Sequence, residues 1–266
     1  MFSKVKGADI EQLLEEKPLR FYDEREELED LLFDDEAEYY LSDDNAIMVN
    51  PGETREIWSM PLSDDFDLKA FEDWLARQGS EFSVIMNVTG MNPGSFRYQE
   101  YYDVSEPIKS YYHKGEGELK DSFDPSEFGA EIPGTIRLLN VNDEKTARNF
   151  FQTETRGIMD LGQVFSFIVK DELGKILGYF DEDGKLIGYI TSMYGAYDVL
   201  VVDDLYVLSS RRKQGVGSSL AKALLAVANA ESMDVYWPVA ETELAQKTAE
   251  SAGYEEVAQR ITIRNL

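Results

Sequence analysis

Hydrophobic and polar positions in the second half of this chain follow two periods in a regular order. Residues 199–208 (VLVVDDLYVL) form an apolar run broken only by Asp203 and Asp204, the pattern of a strand. Leu220, Leu224, Leu225, Val227 and Ala228 recur at helical spacing and predict a helix over about 217–230. From Ile132 onward the pattern predicts a strand at 134–139, a helix at about 142–151, and a second helical stretch ahead of the apolar run 164–169. Strands at 175–180 and 185–193 follow, joined by the hairpin turn Asp181-Glu182-Asp183-Gly184. Beyond the long helix come an apolar run at 234–239, a helix at about 243–251, Gly253-Tyr254, and a last strand near 257–263.

The first half has a different pattern. Two acidic helical stretches, 8–17 and 23–33, precede a strand pair at 38–41 and 46–49 that turns at Asp43-Asp44-Asn45. Trp58 lies in another apolar run, Leu68, Phe71, Trp74 and Leu75 make 67–78 an amphipathic helix, and 82–88 reads as a strand. With 266 residues, two domains are expected. The acidic, Gly/Pro-punctuated segment 115–134 reads as the connection, giving an α+β domain over 1–130 and a second domain over 131–266. The fold class is α/β (α+β), with a mixed central sheet flanked by helices in the second domain.

Charge narrows the function. The net charge is -26, and residues 1–130 hold 32 Asp and Glu against 12 Lys and Arg, whereas 131–266 hold 20 against 14. So acidic a surface argues against nucleic acid or an anionic membrane as partner and suits a cationic one. With no cysteine and one histidine, His113, the chain offers no thiol nucleophile and no His- or Cys-based metal site, so no metal is expected. No run of about 18 apolar residues and no signal-like N-terminal segment is present, and the expectation is a soluble, cytoplasmic protein. The aromatic segment 96–112 either lines a substrate cleft or packs the domain junction.

The candidate chemistry lies between the 199–208 strand and its helix, at Arg211, Arg212, Lys213, Gln214, Gly215, Val216, Gly217 and Ser218. Glycines let backbone approach a ligand, and the first amides of a helix are free donors suited to an anion. A Walker loop would need a Gly-Lys-Ser/Thr triplet, which is absent; a dinucleotide fingerprint would need a third glycine where Leu220 stands. The remaining match is Arg or Gln, two residues, Gly, one residue, Gly or Ala, met by Arg212, Gly215 and Gly217. That loop resembles the acyl-CoA loop of the Gcn5-related N-acetyltransferases, the GNAT superfamily. The order of elements from 132 to 266 resembles the whole GNAT fold, with Gly253-Tyr254 where the family usually has Gly-Phe. The first half is either a degenerate, partial GNAT-like domain or an unrelated α+β domain.

The resemblance implies acetyl-CoA as cosubstrate and direct attack by a primary amine, small or protein-borne. It implies that the loop strand splays from its neighbour at a bulge, so that Leu205, Tyr206 and Val207 offer backbone groups to the pantetheine arm and Lys213 to Ser218 cradle the pyrophosphate. Backbone near Val207 would also stabilise the oxyanion. Asp203 and Asp204 are candidate bases; period-two alternation sends them to opposite faces, so one alone is expected to reach the cleft, with Asp204 preferred. The tyrosine that many family members use as general acid is replaced by Ala249, and the usual asparagine by Thr242. Tyr206, Tyr194, Tyr254 or a water are the alternatives. An N-acetyltransferase is the leading expectation, with an inactive CoA-binding sensor or scaffold, carrying an N-terminal interaction domain, as the alternative. A homo-oligomer is compatible with either.

Overall fold

The computed structural model describes residues 2–16, 32, 36–50, 55–62, 66–78, 82–88, 102–105, 108–114, 122–154, 164–195, 198–240 and 242–265. The helix expected at 23–33, apart from Leu32, and the segments 96–101, 115–121 and 155–163 lie outside these. The chain groups into two compact units, Met1–Ser110 with Val257–Leu266, and Tyr111–Glu256.

The first unit runs β1 (Ser3–Val5), α1 (Gly7–Glu16), β2 (Glu38–Leu41), β3 (Asn45–Asn50), β4 (Arg55–Pro61), α2 (Leu68–Leu75), β5 (Phe82–Asn87) and β6 (Tyr102–Val104). β1 to β4 pair antiparallel in sequence order, whereas β4 and β5 are parallel because α2 carries the chain back between them. Asp67 caps α2, its carboxylate accepting from the Ala70 amide at 3.0 Å. Alternation along β3 sorts the core: Ile47 and Val49 pack with Phe71, Trp74 and Leu75, while Ala46 and Met48 pack with Ile10 and Trp58. Both faces of this strand are therefore covered. The final strand, β14 (Glu255–Asn265), pairs antiparallel with β5, Ile261 opposite Met86, and places Ile261 and Ile263 in the same core.

β7 (Ile108–His113) leads into the second unit, which continues with β8 (Ser122–Phe123), β9 (Gly134–Leu138), α3 (Glu144–Glu154), β10 (Gly174–Asp181), β11 (Leu186–Gly195), β12 (Val199–Val207), α4 (Val216–Ala230), β13 (Asp234–Ala240) and α5 (Glu243–Ala252). β8 to β12 pair antiparallel in order, and β12 and β13 pair in parallel through α4. The apolar run 164–169 ends in a π-helical turn, Ser166–Lys170. α4 packs on one face, where Gly188 leaves room for Val216 and Leu220; α3 covers the other, where Phe150 meets Tyr189 edge-on. Arg137 grips Asp143 with two bonds of 2.8 and 2.7 Å, and Asp143 also closes a capping box with Asn140 ahead of α3. The guanidinium holds the Asp143 carboxyl below its ordinary range.

Part of the segment read as a connection is built structure. Ser122–Phe123 pairs with β9, Asp124 caps a short helical turn at Pro125–Phe128, and Gly129 ends it in the left-handed conformation. Phe123 is buried in the second unit's core with Phe128 against it, so two aromatic side chains override the linker-like composition. Of the aromatic segment, Tyr111 is fully buried and donates to Glu250 at 2.9 Å, and Tyr112 donates to Asp234. His113 packs edge-on against Tyr254, with its Nδ1 buried. Among the described residues no helix is long and apolar enough to cross a membrane.

Candidate active site

β12 carries one residue more than its partner. Thr191 lies opposite Asp204 and Ser192 opposite Val202, so Asp203 has no partner on β11 and forms a bulge. Thr191, buried at the same place, fixes it: its Oγ1 accepts from the Asp204 amide at 2.9 Å and donates to Asp203 Oδ2 at 3.2 Å. On the other side β12 pairs with β13 only from Val199 to Val201, against Asp234 to Tyr236. Beyond that the strands part, and a cleft of about 750 Å³ opens between them, walled by Asp203, Asp204, Leu205, Val207 and Trp237 and floored by the α4 N-terminus and α5. The alternation expected to leave one aspartate in the cleft is reset by the bulge. Both line it.

The loop after β12 turns on two left-handed residues, Lys213 at φ 60° and Gly215 at φ 78°. Glycine is required at 215 for space as well as for φ, since a Cβ there would sit 2.9 Å from the Ala130 Cα and 3.0 Å from the Gly129 carbonyl oxygen. The loop rests on that neighbouring turn: the Glu131 amide donates to the Gln214 carbonyl at 3.1 Å and Lys222 donates to the Phe128 carbonyl at 3.2 Å. Gly215 is also the N-cap of α4, and no side chain caps this end. The first intrahelical bond is from Ser219 to Gly215, so the amides of Val216, Gly217 and Ser218 carry the uncompensated dipole of a 15-residue helix.

The side chains around this end differ from one another. Arg212 donates through Nε to the Val207 carbonyl at 3.0 Å, and its guanidinium lies 5.4 Å from the Tyr206 ring centre. Arg212, Lys213, Gly215, Val216, Gly217 and Ser218 all line the cleft. Gln214 instead braces the loop, donating to the Ser210 carbonyl at 3.2 Å, and Arg211 is directed to Asp181 at 3.8 Å. A Cβ on Gly217 would meet Thr248, Leu205 and Val207 at 3.5 to 3.8 Å, ordinary contact, so this glycine opens the cleft without being demanded by the backbone.

Asp204 is the carboxylate with altered chemistry. It is half-buried, and burial raises its proton affinity above the ordinary carboxylate range, with the neighbouring Asp203 charge adding to the effect. Tyr189 donates to Asp204 Oδ2 at 2.6 Å and opposes the rise. Asp203 is exposed at the cleft mouth.

The tyrosines considered as acids are elsewhere. Tyr206 points to the α3 face, stacked on Tyr189. Tyr254 is buried in the core, its hydroxyl 3.4 Å from the Ala221 carbonyl, and burial pushes its phenol far up. Tyr194 lies near the far end of β11, bonded to Glu231 at 3.3 Å. None of the three lines the cleft. Thr242 does: it caps α5, accepting from the Ala245 amide at 3.1 Å. Ala249 is wholly buried. Trp237 and Thr248 line the cleft beyond the sequence-derived set, and behind it Tyr189 and Thr191 on β11 bond to Asp204 and Asp203, in a register that depends on the bulge. Among the described residues no group of three acidic, His or Cys side chains could hold a metal.

Residues 138–254 match the model of the Acetyltransferase (GNAT) family. The structure is similar to the GCN5-related N-acetyltransferase from Sphaerobacter thermophilus, with 14% identity over 100% of this chain and 95% of that one and a TM-score of 0.61. It is also similar to an acetyltransferase of the GNAT family from Colwellia psychrerythraea, with 13% identity over 100% of both chains and a TM-score of 0.56. At these identities the likeness concerns the fold. No curated protein sequence matches the chain.

Proposed function

We propose that this protein transfers the acetyl group of acetyl-CoA to a primary amine by direct attack of the amine. The observation that carries this reading is the wedge between β12 and β13, opened by the Asp203 bulge and closed at its base by an uncapped helix end. The residues fit the cosubstrate. Three free amides with Arg212 and Lys213 beside them suit pyrophosphate oxygens, and the parted edge of β12 at Leu205 to Val207 suits an amide-bearing arm. Bound acetyl-CoA supplies the acyl group as a thioester.

The chain's own residues then have distinct tasks. Asp204 takes the proton that an ammonium must lose before its nitrogen can attack, and its raised proton affinity makes it a stronger base than an ordinary carboxylate. Leu208 gives its amide to the Ile187 carbonyl on the β11 side, so alternation turns the Val207 amide toward the wedge, where it can donate to an acyl oxygen gaining charge. Asp203 and the net charge of -26 favour a cationic acceptor, either a small amine or a protein amine.

Titration calorimetry with acetyl-CoA on the intact protein and on Gly217→Glu tests the reading. The Cβ is tolerated, while the carboxylate enters the anion cradle. Micromolar binding that the variant loses is expected; no binding to the intact protein would end the proposal. A second reading, a CoA-binding sensor without turnover, is favoured by the lack of a tyrosine hydroxyl on the cleft among the described residues and by Ala249 in its place. Acetyl-CoA consumption with a panel of amines separates the two.

A further inference from the structure

Tyr189 belongs to no motif in the sequence, yet its hydroxyl meets Asp204 Oδ2 at 2.6 Å. The residue is 1% exposed. Tyr206 stacks against its ring with centroids 6.1 Å apart and planes at 19°, and Phe150 abuts it edge-on at 5.7 Å and 87°. Packed on these sides, the ring holds its hydroxyl in one place, and the pairing with a half-buried carboxylate across two strands is fixed by the fold rather than by side-chain flexibility. Burial first, and then the Asp204 charge, push the phenol's proton affinity far up, so Tyr189 stays a donor. Among the described residues, Asp203 on its own strand opposes ionisation of Asp204 and the Leu205 amide favours it, while Arg212, Lys213 and Lys247 line the same cleft. Arg212 lies over Tyr206, and α3 contributes the uncharged Phe150.

We propose that Tyr189 is a positioning residue for proton transfer: its hydroxyl holds Asp204 by Oδ2, leaves Oδ1 to the acceptor amine, and keeps the carboxylate ionised. This rests on the reading of Asp204 as the base. Without the hydroxyl, nothing from β11 would offset the burial of that carboxylate, and a larger fraction would carry a proton at working pH.

The experiment is a carbon-13 NMR titration of the full chain labelled at aspartate Cγ, with Asp204→Asn identifying the Asp204 signal by its loss. In Tyr189→Phe, which keeps the ring and its packing, the Asp204 midpoint should move to higher pH by about 1 unit, the scale of one hydrogen bond to a charged acceptor. A midpoint that stays in place overturns the proposal. A second measurement reads the other partner: in protein labelled at tyrosine Cζ, with Tyr189→Phe identifying the signal by its loss, the Tyr189 signal should shift with the same midpoint as Asp204, and independent behaviour of the two overturns it equally. Neither titration uses a ligand, so their failure leaves acetyl-CoA binding and transfer standing. Full turnover by Asp204→Asn would instead remove the base, and with it the role given to Tyr189.

Discussion

Replacing Gly215 and Gly217 by alanine, one at a time, should change stability in opposite directions although the two lie two residues apart. At Gly215 the backbone is left-handed at φ 78°, where a Cβ costs about 1–2 kcal/mol. The same Cβ would stand 2.9 Å from the Ala130 Cα, a backbone atom held by the Ala130 and Glu131 hydrogen bonds, and forcing that turn away adds about 1–3 kcal/mol. At Gly217 the nearest atoms are 3.5 Å off and φ is helical, so alanine gains about 0.5–1 kcal/mol in helix propensity. Urea unfolding followed by circular dichroism reads both. With a slope of about 2 kcal/mol/M, Gly215→Ala should lower the midpoint by about 1–2.5 M and Gly217→Ala should raise it by a few tenths. Equal losses, or a neutral Gly215→Ala, would refute the claim that one glycine serves the backbone and the other the ligand. Acetyl-CoA calorimetry completes the comparison: Gly217→Ala puts a methyl beside Leu205, Val207 and Thr248 and should weaken binding modestly in a protein that is no less stable.

Asp204→Asn should lower turnover by about 10²–10⁴-fold while acetyl-CoA binding persists, measured by thiol release and calorimetry. Because the folded state raises the proton affinity of Asp204, its ionisation costs stability as pH rises through the unfolded carboxylate value; the variant should therefore melt higher than the parent at pH 8, a gain that disappears at pH 4. Asp143 has the opposite sign, since Arg137 depresses it: Asp143→Asn should cost about 2 kcal/mol near neutral pH by urea titration, and the difference should shrink as pH falls through the folded value of Asp143, below the ordinary carboxylate range. A net charge of -26 opposes a polyanionic ligand, so acetyl-CoA should bind more tightly at about 0.1 M salt than at very low salt, and steady weakening from the lowest salt upward would contradict it.

The second unit's elements were legible because each rests on a local signal: the apolar run of β12, the helical stripe of α4, the hairpin turn ending in Gly184, and the glycine pair of the loop. The cleft's depth was not. The bulge depends on Thr191, twelve positions before Asp203 and on another strand, and period-two reasoning on β12 alone sends the two aspartates apart. Tyr189 was hidden for the same reason, since a lone tyrosine in an apolar strand shows its partner only once the register is known. The turn at Pro125–Phe128 was masked by its composition: Asp, Pro, Ser, Glu and Gly read as connection, and the two phenylalanines that fix it reveal their burial only in the fold.

The first unit depends on residues at both ends of the chain, because β14 lies against β5 and carries Ile261 and Ile263 into that core. During synthesis β5 emerges long before its neighbour, with all of Tyr111–Glu256 made in between, an interval of roughly 7–30 s at ordinary elongation rates. Over that time the β5 edge lacks its native partner and the core lacks Ile261 and Ile263, the condition in which strand edges pair with foreign chains. A fragment ending near residue 130 would be left in that state permanently.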